Sequence, residues 1–153
     1  MNNSSKKQIE KDLVLIGGGH SHLNVLKSFS MDKIDGLRIT LISDVYETPY
    51  SGMLPGFIGN DYSLDDIQID LYKICYHGNF RFINCKVNKI DGNKNLIYFE
   101  NRPPLSFDYL SINIGISNDT KKIKNADKYA LRLKPISKIN YNEIINNLEG
   151  KKV

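Results

Sequence analysis

Hydrophobic and polar positions along this chain fall into a few readable blocks. Leu13-Val14-Leu15-Ile16 is a short apolar run that ends on Gly17-Gly18-Gly19, and Leu37-Arg38-Ile39-Thr40-Leu41-Ile42-Ser43 is a second run rich in β-branched residues. Such runs read as buried strands of a parallel sheet. Between them Leu23, Leu26 and Ser30 share one helical stripe, with Val25 and Phe29 on the neighbouring one, which predicts a helix closed by Asp35-Gly36. Strand, helix and strand at this spacing predict a β-α-β crossover.

Further along, Ser63 and Asp66 have the spacing of a capping box and predict a helical turn over 63–67, followed by a helix near 70–77 that His77-Gly78 stops. Phe80 to Ile90 alternates apolar and polar residues as a strand with one irregularity, Asp91-Gly92-Asn93 is a turn, and Leu96 to Glu100 returns. Pro103-Pro104 breaks that pattern before Phe107 to Gly115, a strand running into a glycine. A stripe of Ile136, Ile139, Ile144, Ile145 and Leu148 predicts a closing helix that ends at Gly150. A small meander does not fit easily into a parallel sheet. The expected class is therefore α/β: a parallel sheet, flanking helices and a separate β-meander layer.

Thr48-Pro49-Tyr50-Ser51-Gly52-Met53-Leu54-Pro55-Gly56 stands apart, because its prolines and glycines preclude one regular element throughout. Its apolar members need cover, so it is expected either to fold over something flat and apolar or to be a plain core-packing loop.

Composition narrows the classes. With 153 residues and 41% hydrophobic positions the chain can bury the core of one globular domain. Met1 to Lys11 is a polar tail without the apolar region of a signal peptide, and no stretch has the length that spans a bilayer, so a soluble, cytoplasmic protein is expected. Cys75 and Cys85 lack C-x-x-C spacing, which argues against a redox dithiol, a metal site or a disulfide framework. The net charge of +4 comes from scattered lysines without interleaved aromatics, so no nucleic-acid partner is expected.

The chemistry concentrates at Gly17-Gly18-Gly19-His20-Ser21-His22. A strand that enters a glycine turn and opens a helix presents unpaired N–H groups and the positive end of the helix dipole, which suits a phosphate. Gly17 and Gly19 fill the first two positions of the dinucleotide fingerprint G-x-G-x-x-G, and His22 takes the third, where glycine normally allows close helix–strand packing. His22 is therefore expected either to widen that contact or to turn its ring outward. His20 and His22 at i, i+2 face different ways and do not form a metal pair. At the end of the second strand Ser43 sits where an acid commonly holds the ribose, and Asp44 follows it; either residue, or neither, fills that role.

Together the glycine turn, the Thr48 to Gly56 loop and Asp108-Tyr109-Leu110-Ser111-Ile112-Asn113-Ile114-Gly115 resemble the FAD-binding part of the pyridine nucleotide-disulfide oxidoreductase superfamily. The last segment looks like its second flavin motif, with Asn113 and Ile114 in place of Ala-Thr. The chain is most similar to the NADH dehydrogenase-like branch, of the type sometimes fused to selenide, water dikinase, which carries similar "GGGHSH" and "TPYSGMLPG" stretches.

The resemblance implies a Rossmann-like FAD-binding domain over residues 12–150, with residues 151–153 beginning an NAD(P)H-binding domain. It implies cofactor contacts from Gly17, Gly18, Gly19, His20, Ser21 and His22 to the pyrophosphate, from Ser43 or Asp44 to the ribose, from the backbone of Val87 near the adenine, and from Pro49, Tyr50, Ser51, Gly52, Asn113 and Gly115 along the flavin side. It also implies NAD(P)H as co-substrate, a small-molecule acceptor such as a quinone, and a nicotinamide-binding domain in cis or as a separate chain; peripheral membrane contact stays open. No second glycine fingerprint occurs here, so these residues alone are expected to be inactive, and no catalytic side chain is assigned. A non-catalytic nucleotide-binding or regulatory module is the alternative, and a nicotinamide-first dehydrogenase ranks third.

Overall fold

In a computed structural model of the full chain, the structure describes residues 8–117, 122–130, 133–136, 139, 141 and 144. The closing helix and residues 151–153 therefore fall wholly or largely outside the described residues. The chain divides into two compact units, residues 1–47 with 70–114, and residues 48–69 with 115–153.

The first unit is built on a four-stranded sheet. Strand β1 (Lys11–Ile16) leads through helix α1 (His20–Met31) to β2 (Leu37–Ser43). The chain then forms β3 (Glu47–Pro49), which pairs with β4 (Gln68–Asp70) in a two-stranded ribbon. Helix α4 (Leu71–Gly78) precedes β5 (Arg81–Asn84), and a meander of β6 (Val87–Asp91), β7 (Leu96–Phe99) and β8 (Leu105–Ser106) precedes β9 (Tyr109–Ile112). Spatial order in the large sheet is β5-β2-β1-β9, and every pairing is parallel. Because β1 has β2 on one side and β9 on the other, the connections diverge at its C-terminal end. Open α/β sheets bind their ligands at such a switch point.

Period-two alternation divides the sheet's core between two faces. Val14, Ile16, Ile42 and Ile83 point to one face and pack with Ile97 and Phe99 of β7, so the meander forms a separate layer as expected. Leu15 and Leu41, equally buried, lie on the other face, to which α1 contributes Leu26 and His22. Ser30 does not join the α1 stripe: it is exposed, and its hydroxyl donates to the Lys27 carbonyl at 2.7 Å.

Other boundaries differ from the sequence reading. Phe80 to Ile90 is not one strand, because the chain leaves the parallel sheet after Asn84 and enters the antiparallel meander at Val87. The irregularity lies within β6, where the register slips between Val87 and Lys89. Helix α4 is stopped by Asn79, left-handed at φ 59°, rather than by Gly78, its last helical residue.

The second unit holds a 3-10 turn over Ser51–Met53, helix α2 (Leu54–Ile58), helix α3 (Leu64–Ile67) and helix α5 (Ala126–Tyr129). Ser63 and Asp66 form the expected capping box at the start of α3. Leu54, Phe57 and Ile67 form the unit's core, against which Met53, Ile58, Leu133, Ile136, Ile139 and Tyr141 pack. The Thr48 to Gly56 segment is thus not irregular to its end: Pro55 falls in the first turn of α2, where its missing N–H costs nothing. Among the described residues no helix is long and apolar enough to cross a membrane.

Candidate functional site

At the C-terminal end of β1 the backbone turns through three glycines, and the structure gives each a steric reason. Gly17 has φ +93°, a conformation side chains rarely adopt, and a β-carbon there would overlap the Asn113 carbonyl. A β-carbon on Gly18 would come within 2.5 Å of Leu71 Cδ1, and one on Gly19 would overlap the Asn113 carboxamide. Gly19 is the N-cap of α1, and neither a side-chain cap nor an acidic residue in the first turn answers that helix end. A close-fitting glycine turn with an uncapped helix behind it is a cradle for an anion.

The turn is tied in place from several sides. The Gly17 N–H donates to the Ile42 carbonyl of β2 at 2.7 Å, and the Asn113 N–H donates to the Ile16 carbonyl at 2.8 Å. Of the two settings the sequence led one to expect for His22, the outward-turned ring is not the one found. Its ring is 1% exposed, with Nδ1 2.7 Å from the Gly17 carbonyl and Nε2 2.9 Å from the Ser111 hydroxyl. A carbonyl only accepts, so Nδ1 carries a proton; in the neutral ring the Ser111 hydroxyl then donates to Nε2. Sequence reasoning passed over Ser111 as a functional residue. Its signal was register: Ser111 pairs with Leu15 across β1 and β9, which sets its hydroxyl on the same sheet face as Leu15, although the residue itself is exposed on the edge strand.

The remaining sequence-predicted residues distribute as follows. His20 and Ser21 are exposed in the first turn of α1, and His20 Nε2 lies 3.2 Å from the Asn24 carboxamide nitrogen, which donates to it. Ser43 is buried and its hydroxyl accepts from the Val45 N–H at 3.3 Å, whereas Asp44 is exposed at the end of β2. Val87 opens β6 with its side chain against the core, leaving only its backbone to offer. Asn113 is half-buried beside Gly19. Pro49, Tyr50, Ser51, Gly52 and Gly115 all belong to the second unit. There the Tyr50 ring lies 3.0 Å from where a Gly52 β-carbon would be, and Gly115 has φ +75°.

The acid of the second flavin-like motif has a different place. Asp108 lies at the opposite end of β9 from Asn113, where its carboxylate accepts from the Asp12 N–H at 2.8 Å and from Lys11 at 2.9 Å. Hydrogen bonding from Lys11, then from the Asp12 backbone, holds its carboxyl below the usual range. Asp12 in turn accepts two hydrogen bonds from Arg38, at 2.5 and 2.8 Å. This network pins the starts of β1, β2 and β9 and lies away from the turn.

Among the described residues no group of His, Cys, Asp or Glu is placed to hold a metal ion. Cys75 and Cys85 are both free thiols, and burial pushes Cys75 up to about 11. Such a thiol is protonated at neutral pH and is a poor nucleophile.

No family model matches the chain. It is 31% identical over 109 residues to a sulfide-quinone reductase of Aquifex aeolicus (strain VF5), an alignment that covers 69% of this chain and 24% of that protein. The structure of the sulfide:quinone oxidoreductase from the same bacterium matches with a TM-score of 0.62 and 25% identity, over 74% of this chain and 27% of that one. NDH2 from Plasmodium falciparum, solved in complex with NADH, matches with a TM-score of 0.70 and 22% identity, over 88% of this chain and 28% of that one. The chain thus spans about a quarter of the length of the curated relative it matches.

Proposed function

The chain belongs to the pyridine nucleotide-disulfide oxidoreductase superfamily, and from that premise we propose that it is the FAD-binding portion of an NADH dehydrogenase-like flavoprotein that passes electrons from NAD(P)H to an acceptor such as a quinone. The observation that carries this reading is the turn itself. A glycine turn in which Gly17 is held at φ +93° against the Asn113 backbone, with Gly18 and Gly19 close under the Leu71 and Asn113 side chains, precedes an uncapped twelve-residue helix at the switch point of a parallel sheet. Gly17, Gly18, Gly19 and the start of α1 would hold the pyrophosphate, and Asp44, the exposed acid at the end of β2, would take the ribose, with the buried Ser43 hydroxyl already engaged locally. Bound FAD would supply the hydride and electron chemistry. The residues of this chain bind it, orient it and shape its surroundings.

A nicotinamide-binding domain, in cis or as a separate chain, completes the reading, since hydride transfer needs two rings held together and such positioning carries roughly 7–11 kcal/mol of barrier. The selenide, water dikinase fusion rests on the motif resemblance, and peripheral contact with a quinone-bearing membrane on the quinone named for the relatives. The two cysteines are free thiols without C-x-x-C spacing, which favours electron transfer to a small acceptor over disulfide reduction. Flavin fluorescence released on denaturing the purified protein tests the cofactor, and saturable FAD or ADP binding is expected when these are added back. A colourless chain that binds neither is a regulatory module of another kind.

A further inference from the structure

We propose that His22 is a positioning residue: a buried clamp between Gly17 and Ser111 that holds the glycine turn in its anion-accepting shape, replacing the packing role of the fingerprint's third glycine. The inference rests on the reading of the turn as a pyrophosphate site and says what keeps that site formed. The third glycine normally serves by absence, letting helix and strand approach. Here an imidazole fills the space and is bonded at both nitrogens, to the Gly17 carbonyl at 2.7 Å and to the Ser111 hydroxyl at 2.9 Å.

The clamp acts on the backbone groups that matter. In a trans peptide the carbonyl oxygen and the following N–H point in opposite directions. Drawing the Gly17 oxygen down onto His22 therefore turns the Gly18 N–H away from the ring, out of the helix–sheet layer. That N–H has no hydrogen-bond partner among the described residues. The Gly17 N–H is fixed to Ile42 on the other side, so both ends of this residue are held while φ sits at +93°. Ser111 supplies the counter-anchor on β9, two residues before Asn113, whose side chain covers Gly19. His22 does not itself need to touch the anion; at 1% exposure it is beneath the turn rather than in it.

ADP and adenosine test this, because a device that shapes the phosphate cradle acts on one and not the other. The wild-type chain should bind ADP tighter than adenosine by calorimetry. Ser111→Ala, which leaves the ring in place with one anchor gone, should weaken ADP by about 3- to 10-fold, the worth of one partly buried hydrogen bond. Adenosine affinity should not move, and Ser111→Thr, which keeps the hydroxyl, should restore ADP binding. His22→Gly completes the G-x-G-x-x-G fingerprint on paper. The clamp predicts that it nevertheless loses about 10-fold or more in ADP affinity. Should wild type fail to prefer ADP over adenosine, the pyrophosphate reading falls and takes this inference with it. A wild type that prefers ADP while Ser111→Ala and His22→Gly keep the same ADP-to-adenosine ratio overturns the clamp alone.

Discussion

Gly17 and Gly92 show how much a single position decides. At Gly17 a methyl group meets a backbone carbonyl and the residue is held at φ +93°; at Gly92 a β-carbon meets nothing within 4 Å. Gly17→Ala should therefore cost at least about 2 kcal/mol of unfolding free energy in urea, and Gly92→Ala should stay within about 0.5 kcal/mol. The thiols divide in the same way. Cys75 is buried, with its pKa raised to about 11, whereas Cys85 is half-buried, so iodoacetamide at neutral pH should label Cys85 well before Cys75, as read by mass spectrometry. Equal labelling rates would mean that the α4 face opens readily. The importance of the glycines was legible in the sequence, because only glycine makes this turn at low cost. The inward set of His22 was not: the sequence names the side chain but not the hydroxyl waiting for it on a strand 89 positions away.

Among the elements, the parallel strands were readable because both of their faces are largely buried, which leaves an unbroken apolar run over Leu13 to Ile16 in β1 and a run rich in β-branched and apolar residues in β2. The division of Phe80 to Ile90 between two sheets was hidden, since alternation continues through Cys85 and Lys86 while the chain changes partners. Helix α2 was hidden by Pro55 and Gly56, which argue against a helix interior but not against a helix start. Asp108 makes the junction of β1 and β9 testable by acid. Its folded-state pKa is depressed, so its contribution is present above the ordinary carboxylate value of about 4 and is lost as the pH falls through the lowered one. Asp108→Asn should flatten the acid side of the stability profile while leaving its shape near neutrality unchanged. An unaltered acid slope in thermal unfolding would remove Asp108 from that role.

At the scale of the whole molecule, the division into two units was not legible. The core of the second unit joins Leu54, Phe57 and Ile67 to Leu133, Ile136, Ile139 and Tyr141, residues far apart in the sequence with no periodicity linking them. What the sequence did carry was the site-bearing half: a strand, a glycine turn, a helix and a second strand, arranged so that β1 ends at the sheet's switch point. The central claim is that this turn binds the pyrophosphate of FAD, and amide chemical-shift mapping during a titration with FAD tests it even where binding is weak. Saturable shifts are expected, centred on Gly17, Gly18, Gly19, His20 and Ser21, extending to Asn113 and Asp44, and abolished by Gly19→Val, whose side chain would collide with that of Asn113. Shifts that leave the glycine turn unmoved while appearing elsewhere, or no shifts at millimolar FAD, would contradict it.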